Sequence, residues 1–162
     1  MNAKRILTVQ DLDVTYPAKG FGKTGFKALN SVSIHVDQGE TLGLVGESGS
    51  GKTIMLSAVA GSLLAEPDAK ACILAHRTEL TGQNRSKFER VNPGLKTSVF
   101  DANEKSWDGN ATFAMVQTLS RKTNLDQLPT LDLLVIDEAH HAASPSYREV
   151  IDQVLEIGRA HV

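Results

Sequence analysis

The chain opens with alternation. Over residues 6–16 apolar and polar side chains take turns, with Leu12, Val14 and Tyr16 on one side. That period of two predicts a half-buried strand. Pro17 ends the run, and a Gly- and Lys-rich loop follows over residues 18–27, in which Lys19, Lys23 and Lys27 read as a solvated face. Residues 31–36 alternate again and stop at the turn signal Asp37-Gln38-Gly39-Glu40. The two strands are expected to pair antiparallel. Thr41-Leu42-Gly43-Leu44-Val45 is a short apolar strand that runs straight into a glycine-rich loop.

From residue 53 the pattern becomes strands alternating with helices. A helix over 53–64 stops near Pro67, and a buried-type strand covers 71–75. A polar-rich helix over 78–90 ends at Asn92-Pro93-Gly94, before a strand over 96–100 and a polar loop over 103–110. A strand over 111–116, a short helix over 117–122, a very apolar strand over 131–136 and a helix over 147–155 complete the order. This alternation predicts an α/β fold with a mainly parallel, doubly wound sheet, preceded by the antiparallel β pair. No repeat or low-complexity tract is present.

Composition narrows the class. The chain has 162 residues, 41% hydrophobic and 22% charged, with a net charge of −2 from 17 Lys+Arg and 19 Asp+Glu. That fits one globular domain with a core and argues against a disordered or fibrous chain. It is too short for a two-domain motor or a full transporter subunit. No apolar run approaches the ~18 residues of a membrane-spanning helix. The basic start at residues 1–5 lacks the apolar stretch of a secretory signal, so a cytoplasmic location is expected. Cys72 alone permits neither an internal disulfide nor a Cys-based zinc site, and in its apolar strand it reads as a small hydrophobe. Near-neutral charge leaves any contact with nucleic acid or anionic lipid to local patches.

Two motifs carry chemistry. Gly46-Glu47-Ser48-Gly49-Ser50-Gly51-Lys52-Thr53 fits G-x-x-x-x-G-K-[ST] at every fixed position, after a strand and before a helix. Glycines let the backbone curl its N–H groups inward, and the helix start adds its positive end. Gly46, Ser48, Gly49, Ser50 and Gly51 would cradle phosphates. Lys52 would meet the β- and γ-phosphates of ATP, and Thr53 would offer its hydroxyl to Mg²⁺. The bland alternative is a Gly/Ser turn between strand and helix. The second motif is Leu133-Leu134-Val135-Ile136-Asp137-Glu138, a buried strand with two carboxylates at its carboxyl end, where open α/β sheets bind ligands. Asp137 would hold Mg²⁺, and Glu138 would orient and deprotonate the attacking water.

These residues resemble two families. Leu7-Thr8-Val9-Gln10-Asp11-Leu12-Asp13-Val14-Thr15-Tyr16, Ala28-Leu29-Asn30-Ser31-Val32-Ser33 and the stretch from Gly39 to Thr53 resemble the start of an ABC-transporter ATPase subunit of the oligopeptide and dipeptide importer type. That resemblance implies that Tyr16 stacks on adenine, though it equally reads as a strand-end core tyrosine. Residues 49–155 resemble the first RecA-like domain of a superfamily 2 helicase: Asp137-Glu138-Ala139-His140 matches a DEAH box, Leu74-Ala75-His76-Arg77-Thr78-Glu79-Leu80 the next motif, and Ala114-Met115-Val116-Gln117-Thr118-Leu119 a further one. The resemblance implies that His140 couples the ATP site to nucleic acid, and that Arg77 and Thr118 contact its phosphates. A solvated cation and a helix cap are the plainer readings of Arg77 and Thr118. His141 reads as a solvated or helix-starting histidine, and His76, His140 and His141 lack zinc-ligand spacing. Trp107, alone in a polar loop, is weak evidence for base stacking.

Neither family is complete. The ABC half lacks the glutamine loop, the Leu-Ser-Gly-Gly-Gln signature and the switch histidine. The helicase half lacks its upstream adenine-reading glutamine, its Ser-Ala-Thr motif and the second RecA-like domain with its arginine fingers. The two meet at Gly49-Ser50-Gly51-Lys52-Thr53, and Glu156-Ile157-Gly158-Arg159-Ala160-His161-Val162 resembles translated adapter. The expected organisation is therefore an ABC-like β segment over 1–48, a truncated helicase ATP-binding domain over 49–155 and a non-native tail over 156–162. The expected function is an ATP-binding P-loop NTPase fragment, most like the ATP-binding domain of a DEAD/DEAH-box helicase acting on DNA or RNA. Hydrolysis would be slow or absent without the second domain. The alternatives are a fragment of an ABC peptide importer, held against a membrane permease, and a non-catalytic chimeric remnant.

Overall fold

The structure, a computed structural model, describes residues 5–16, 25–37, 42–43, 51–138 and 142–159. The chain divides into two compact units, Met1–Val59 and Ala60–Val162.

In the first unit, β1 (Arg5–Tyr16) pairs antiparallel with β2 (Phe26–Asp37), as the alternation requires. Leu7, Val9 and Leu29 are buried on one face. The ladder is irregular about its middle, where Asp11 and Ser31 take positive φ of 49° and 51°. Side chains close that gap. Ser31 N–H donates to Asp13 Oδ1 at 2.8 Å, and Asp11 N–H donates to Ser33 Oγ at 3.0 Å. Strand β2 begins earlier than residue 31, so Lys27 stands in the ladder rather than in a loop. Its ammonium, 2.9 Å from Asp13 Oδ1, holds that carboxyl below its usual range. The expected strand over residues 41–45 lies largely outside the described residues.

Helix α1 (Lys52–Leu63) starts where the motif predicts. In the second unit follow β3 (Ala71–Ala75), α2 (Thr78–Val91), β4 (Thr97–Phe100), β5 (Ala111–Met115), the one-turn helices α3 (Val116–Leu119) and α4 (Lys122–Leu125), β6 (Leu133–Ile136) and α5 (Pro145–Arg159). The four strands form a parallel sheet in the order β4-β5-β3-β6. The expected α/β architecture, a parallel sheet with a separate antiparallel pair, is the observed one.

Strand β3 is central and buried throughout. Its pleat sends alternate side chains to opposite faces. Cys72 and Leu74 join Phe100, Ala114, Val116, Leu119, Tyr147 and Val150 in one core cluster beneath α3 and α5. On the other face α2 lays Phe88 edge-on to Phe113 of β5, with ring centroids 5.6 Å apart. Among the described residues no helix is long and apolar enough to cross a membrane.

Several expectations change. Strand β6 is half-buried, with Val135 its one buried residue, because among the described residues it pairs only with β3. The single helix over 117–122 is two turns of four residues, broken at Ser120 and Arg121. Helix α5 runs through Arg159 rather than stopping at residue 155, and Ile157 packs against the core.

Candidate functional site

Parallel register sets the site. Leu74 pairs with Ile136 and Ala75 with Met115. Past the strand ends, Asp137 comes beside the end of β3, and the first turn of α3 comes beside His76. The contacts agree. Asp137 N–H donates to Leu74 C=O at 3.1 Å, and Gln117 Nε2 donates to the His76 carbonyl at 3.0 Å. His76 Nδ1 lies 2.8 Å from Glu138 Oε2.

Each carboxylate is held differently. Asp137 Oδ2 accepts a 2.7 Å hydrogen bond from Asn84 Nδ2 of α2, and Oδ1 accepts the Glu138 N–H at 3.1 Å. Asn84 is buried on the same stripe of α2 as Thr81 and Phe88. Glu138 has a φ of 57°, the left-handed region that few non-glycine residues adopt and that clusters at functional sites. Beneath the pair, Tyr147 of α5 is buried, and its hydroxyl has no hydrogen-bond partner among the described residues. Burial first, then the Glu138 and Asp137 charges, push this phenol up to about 12.

Of the residues read from the helicase resemblance, Arg77 is exposed at the N-cap of α2, with extended backbone and no side-chain cap. Thr118 is buried inside α3 and is not its cap, which is Met115; the neighbouring Gln117 is exposed. Thr118 C=O accepts a 2.6 Å hydrogen bond from Asn124 Nδ2.

Of the phosphate loop, Gly51, Lys52 and Thr53 are described, in the first unit. Gly51 has a φ of 87°, which favours glycine, and its carbonyl accepts the Ile54 and Met55 N–H groups at 3.0 Å each. Thr53 C=O accepts Ser57 Oγ at 2.7 Å inside α1. Gly46, Ser48, Gly49, Ser50 and His140 lie outside the described residues, and of Tyr16 only the backbone, closing β1, is described. The structure thus joins Asp137, Glu138 and the turn bearing Arg77. It adds Asn84 and Tyr147, which motif reading passed over, and gives contacts to His76 and Gln117, which the quoted motifs contain without a role. Asn84 left one signal, a polar residue four positions before Phe88 on the buried face.

The second unit's parallel α/β sheet ends in a carboxylate pair, and the sequence carries G-x-x-x-x-G-K-[ST]; both are features of P-loop NTPases. The family model described as "Type III restriction enzyme, res subunit" matches residues 18–157, and the chain belongs to that helicase-like family. It is 31% identical over 115 residues to IRC3 of Saccharomyces cerevisiae, whose name places it among ATP-dependent helicases; the match covers 65% of this chain and 16% of that protein. It is 47% identical over 57 residues to the dipeptide transport ATP-binding protein DppF of Lactococcus lactis, covering 35% of this chain and 17% of DppF. A D,D-dipeptide transport ATP-binding protein of Escherichia coli, DdpD, is 29% identical over 155 residues, covering 94% of this chain and 40% of DdpD. The chain therefore spans less than half the length of each of these relatives.

Proposed function

We propose that this chain binds Mg²⁺·ATP and hydrolyses it as the ATP-binding half of a helicase-type motor responsive to nucleic acid. The observation that carries the reading is the contact set at the ends of β3, β5 and β6: a fixed Asp137, a Glu138 held in a rare backbone conformation, and an exposed Arg77 one residue from the histidine that touches Glu138. Gly46, Ser48, Gly49, Ser50, Gly51 and Lys52 would hold the phosphates. Thr53 and Asp137 would hold Mg²⁺; both are hard oxygen donors, and Mg²⁺ takes one or two protein oxygens with phosphate and water completing its shell. Bound there, its chemistry is neutralisation of phosphate charge. Glu138 would take the proton of the attacking water. Arg77, with the exposed Gln117 beside buried Thr118, would meet nucleic-acid phosphates, which give affinity without sequence readout. His140 would couple the two sites, and Tyr16 would stack on adenine. Location would be cytoplasmic.

The β1–β2 pair and the 47% match to a dipeptide transport ATP-binding protein support a second reading of the first unit. There residues 1–48 derive from an ABC importer subunit that docks on a membrane permease, residues 49–155 from a helicase, and residues 156–162 from adapter. Retention of nucleotide binding without turnover would favour the remnant reading.

The test is a nucleotide titration and phosphate-release assay on the purified chain. Lys52→Ala should weaken nucleotide affinity at least about tenfold, whereas Glu138→Gln should keep binding and lose turnover by roughly 10²–10⁴. Turnover should be slow, because a trans-supplied arginine finger is worth roughly 10³–10⁵. Stimulation by single-stranded DNA or RNA favours the helicase reading; copurification with a permease favours the importer reading. Equal turnover in wild type and Glu138→Gln removes Glu138 from its role.

A further inference from the structure

His76 stands where three strand ends meet. It follows β3, the central strand, with β5 on one side and β6 on the other. Its ring faces Glu138, with Nδ1 2.8 Å from Oε2, and its side chain is largely buried at 17% exposure. Its carbonyl takes the Gln117 side-chain hydrogen bond, and the next residue is exposed Arg77, whose own carbonyl accepts Thr81 Oγ1 at 3.2 Å in the first turn of α2. The turn 76–77 is therefore tied to α3 and α2 through its backbone, and to Glu138 through the imidazole ring.

We infer that His76 is a positioning residue for Glu138: its ring, in ion-pair contact with the carboxylate, holds it near the turn that carries Arg77, so that a strand of nucleic acid resting on Arg77 and Gln117 is linked to the hydrolytic carboxylate through the His76 side chain. This rests on the ATPase reading above. Three features of the site agree with it. The contact is short and partly shielded from solvent, so it is less screened than an exposed pair. A glutamate in the left-handed region needs an external restraint to stay there, since that conformation is intrinsically unfavourable. A general base must also be oriented as well as basic, because misplacement by about 1 Å is enough to cost on the order of a hundredfold. The imidazole supplies the restraint without touching substrate.

The experiment compares wild type, His76→Phe, His76→Asn and Lys52→Ala as full chains, by steady-state phosphate release with and without a saturating single-stranded oligonucleotide. Phe fills the ring's volume without a donor; Asn places an N–H near the position of Nδ1. His76→Phe should lower kcat about tenfold or more at unchanged KM for ATP, and should lose the oligonucleotide's stimulation. His76→Asn should restore most of both. A melting curve shows whether each variant is folded, and the ¹⁵N resonance of the His76 ring should shift in Glu138→Gln. Wild-type kcat in a folded His76→Phe chain overturns the inference alone. So does a ring resonance indifferent to Glu138→Gln, or a KM that rises as kcat falls with no rescue by Asn. Wild-type turnover no faster than Lys52→Ala overturns the ATPase reading and the inference with it.

Discussion

Tyr147→Phe should stabilise the second unit. The Tyr147 hydroxyl is buried and makes no hydrogen bond among the described residues. An unsatisfied buried polar group costs about 1–3 kcal/mol. Its removal leaves a void about the size of one oxygen, worth roughly 0.3 kcal/mol at the usual cost per unit of cavity volume. The net gain at neutral pH is about 1 kcal/mol. For a unit of about one hundred residues, spanning Ala60–Val162, that raises Tm by roughly 4–8 °C. The gain should grow in alkali. The phenol's ordinary value is 10.0, and in the folded chain it is pushed up to about 12 by burial and by Glu138 and Asp137. A raised acid is favoured neutral in the fold, so its contribution is intact below pH 10 and is lost as pH climbs towards 12. At pH 11 the phenylalanine variant should lead by roughly a further 1–1.5 kcal/mol. Urea unfolding at pH 7 and pH 11 measures both, with Trp107, the only tryptophan, as reporter against Phe100. Two results refute the reasoning. A less stable variant at pH 7 means that the hydroxyl is bonded, and a difference that does not change with pH means that the phenol titrates alike folded and unfolded.

Asn84→Asp sets a carboxylate where an amide now donates to Asp137 at 2.7 Å. The like-charge pair should raise its own pKa, so the variant should lose about 1–3 kcal/mol at pH 8 and recover much of it at pH 5, read from urea midpoints; equal midpoints at pH 8 would disprove the contact. Cys72 is fully buried, and burial pushes its thiol far above the ordinary value. A disulfide reagent should therefore label the native chain at least about a hundredfold more slowly than the urea-unfolded chain; comparable rates would place β3 outside the core.

Local pattern made most elements legible. Five consecutive small or apolar residues between polar flanks, too few for a helix of usual length, read as a buried strand, and β3 is buried along its whole length. Helix α2 starts at Thr78 and breaks before Pro93 as its signals require. The misses have separate causes. Four-residue helices such as α3 and α4 carry too little periodicity to be told apart. Helix α5 begins at Pro145 because proline is tolerated in a first turn, where its missing N–H has no helical partner. Its far end was masked by the foreign look of residues 156–162, yet Tyr147, Val150, Val154 and Ile157 recur on one helical face and pack together. Of the site, Asp137 and Glu138 were legible because they are adjacent in sequence. Their partners were not. Asn84, His76 and Tyr147 lie on three different elements, and only the strand order and register bring them to the pair.

That register also gives the two carboxylates different surroundings, as the proposed division of labour requires. Asp137 continues the face of Val135, towards α2, and Asn84 of α2 meets it. Glu138, past the end of the strand, meets His76 instead, and its charge reaches Tyr147 of α5. The chain turns at Glu138, where φ is 57°, and the two carboxylates part: the Asn84 amide reaches Asp137 and the His76 imidazole reaches Glu138. A metal ligand needs its oxygens fixed and ionised, and a water-activating base needs a carboxylate that can accept a proton. Two acids side by side in one environment would compete for both roles. A one-residue slip of β6 against β3 would exchange their surroundings while leaving the apolar strand almost as well paired. The pairing of Leu74 with Ile136 is therefore as much a determinant of the proposed chemistry as the acidic residues themselves.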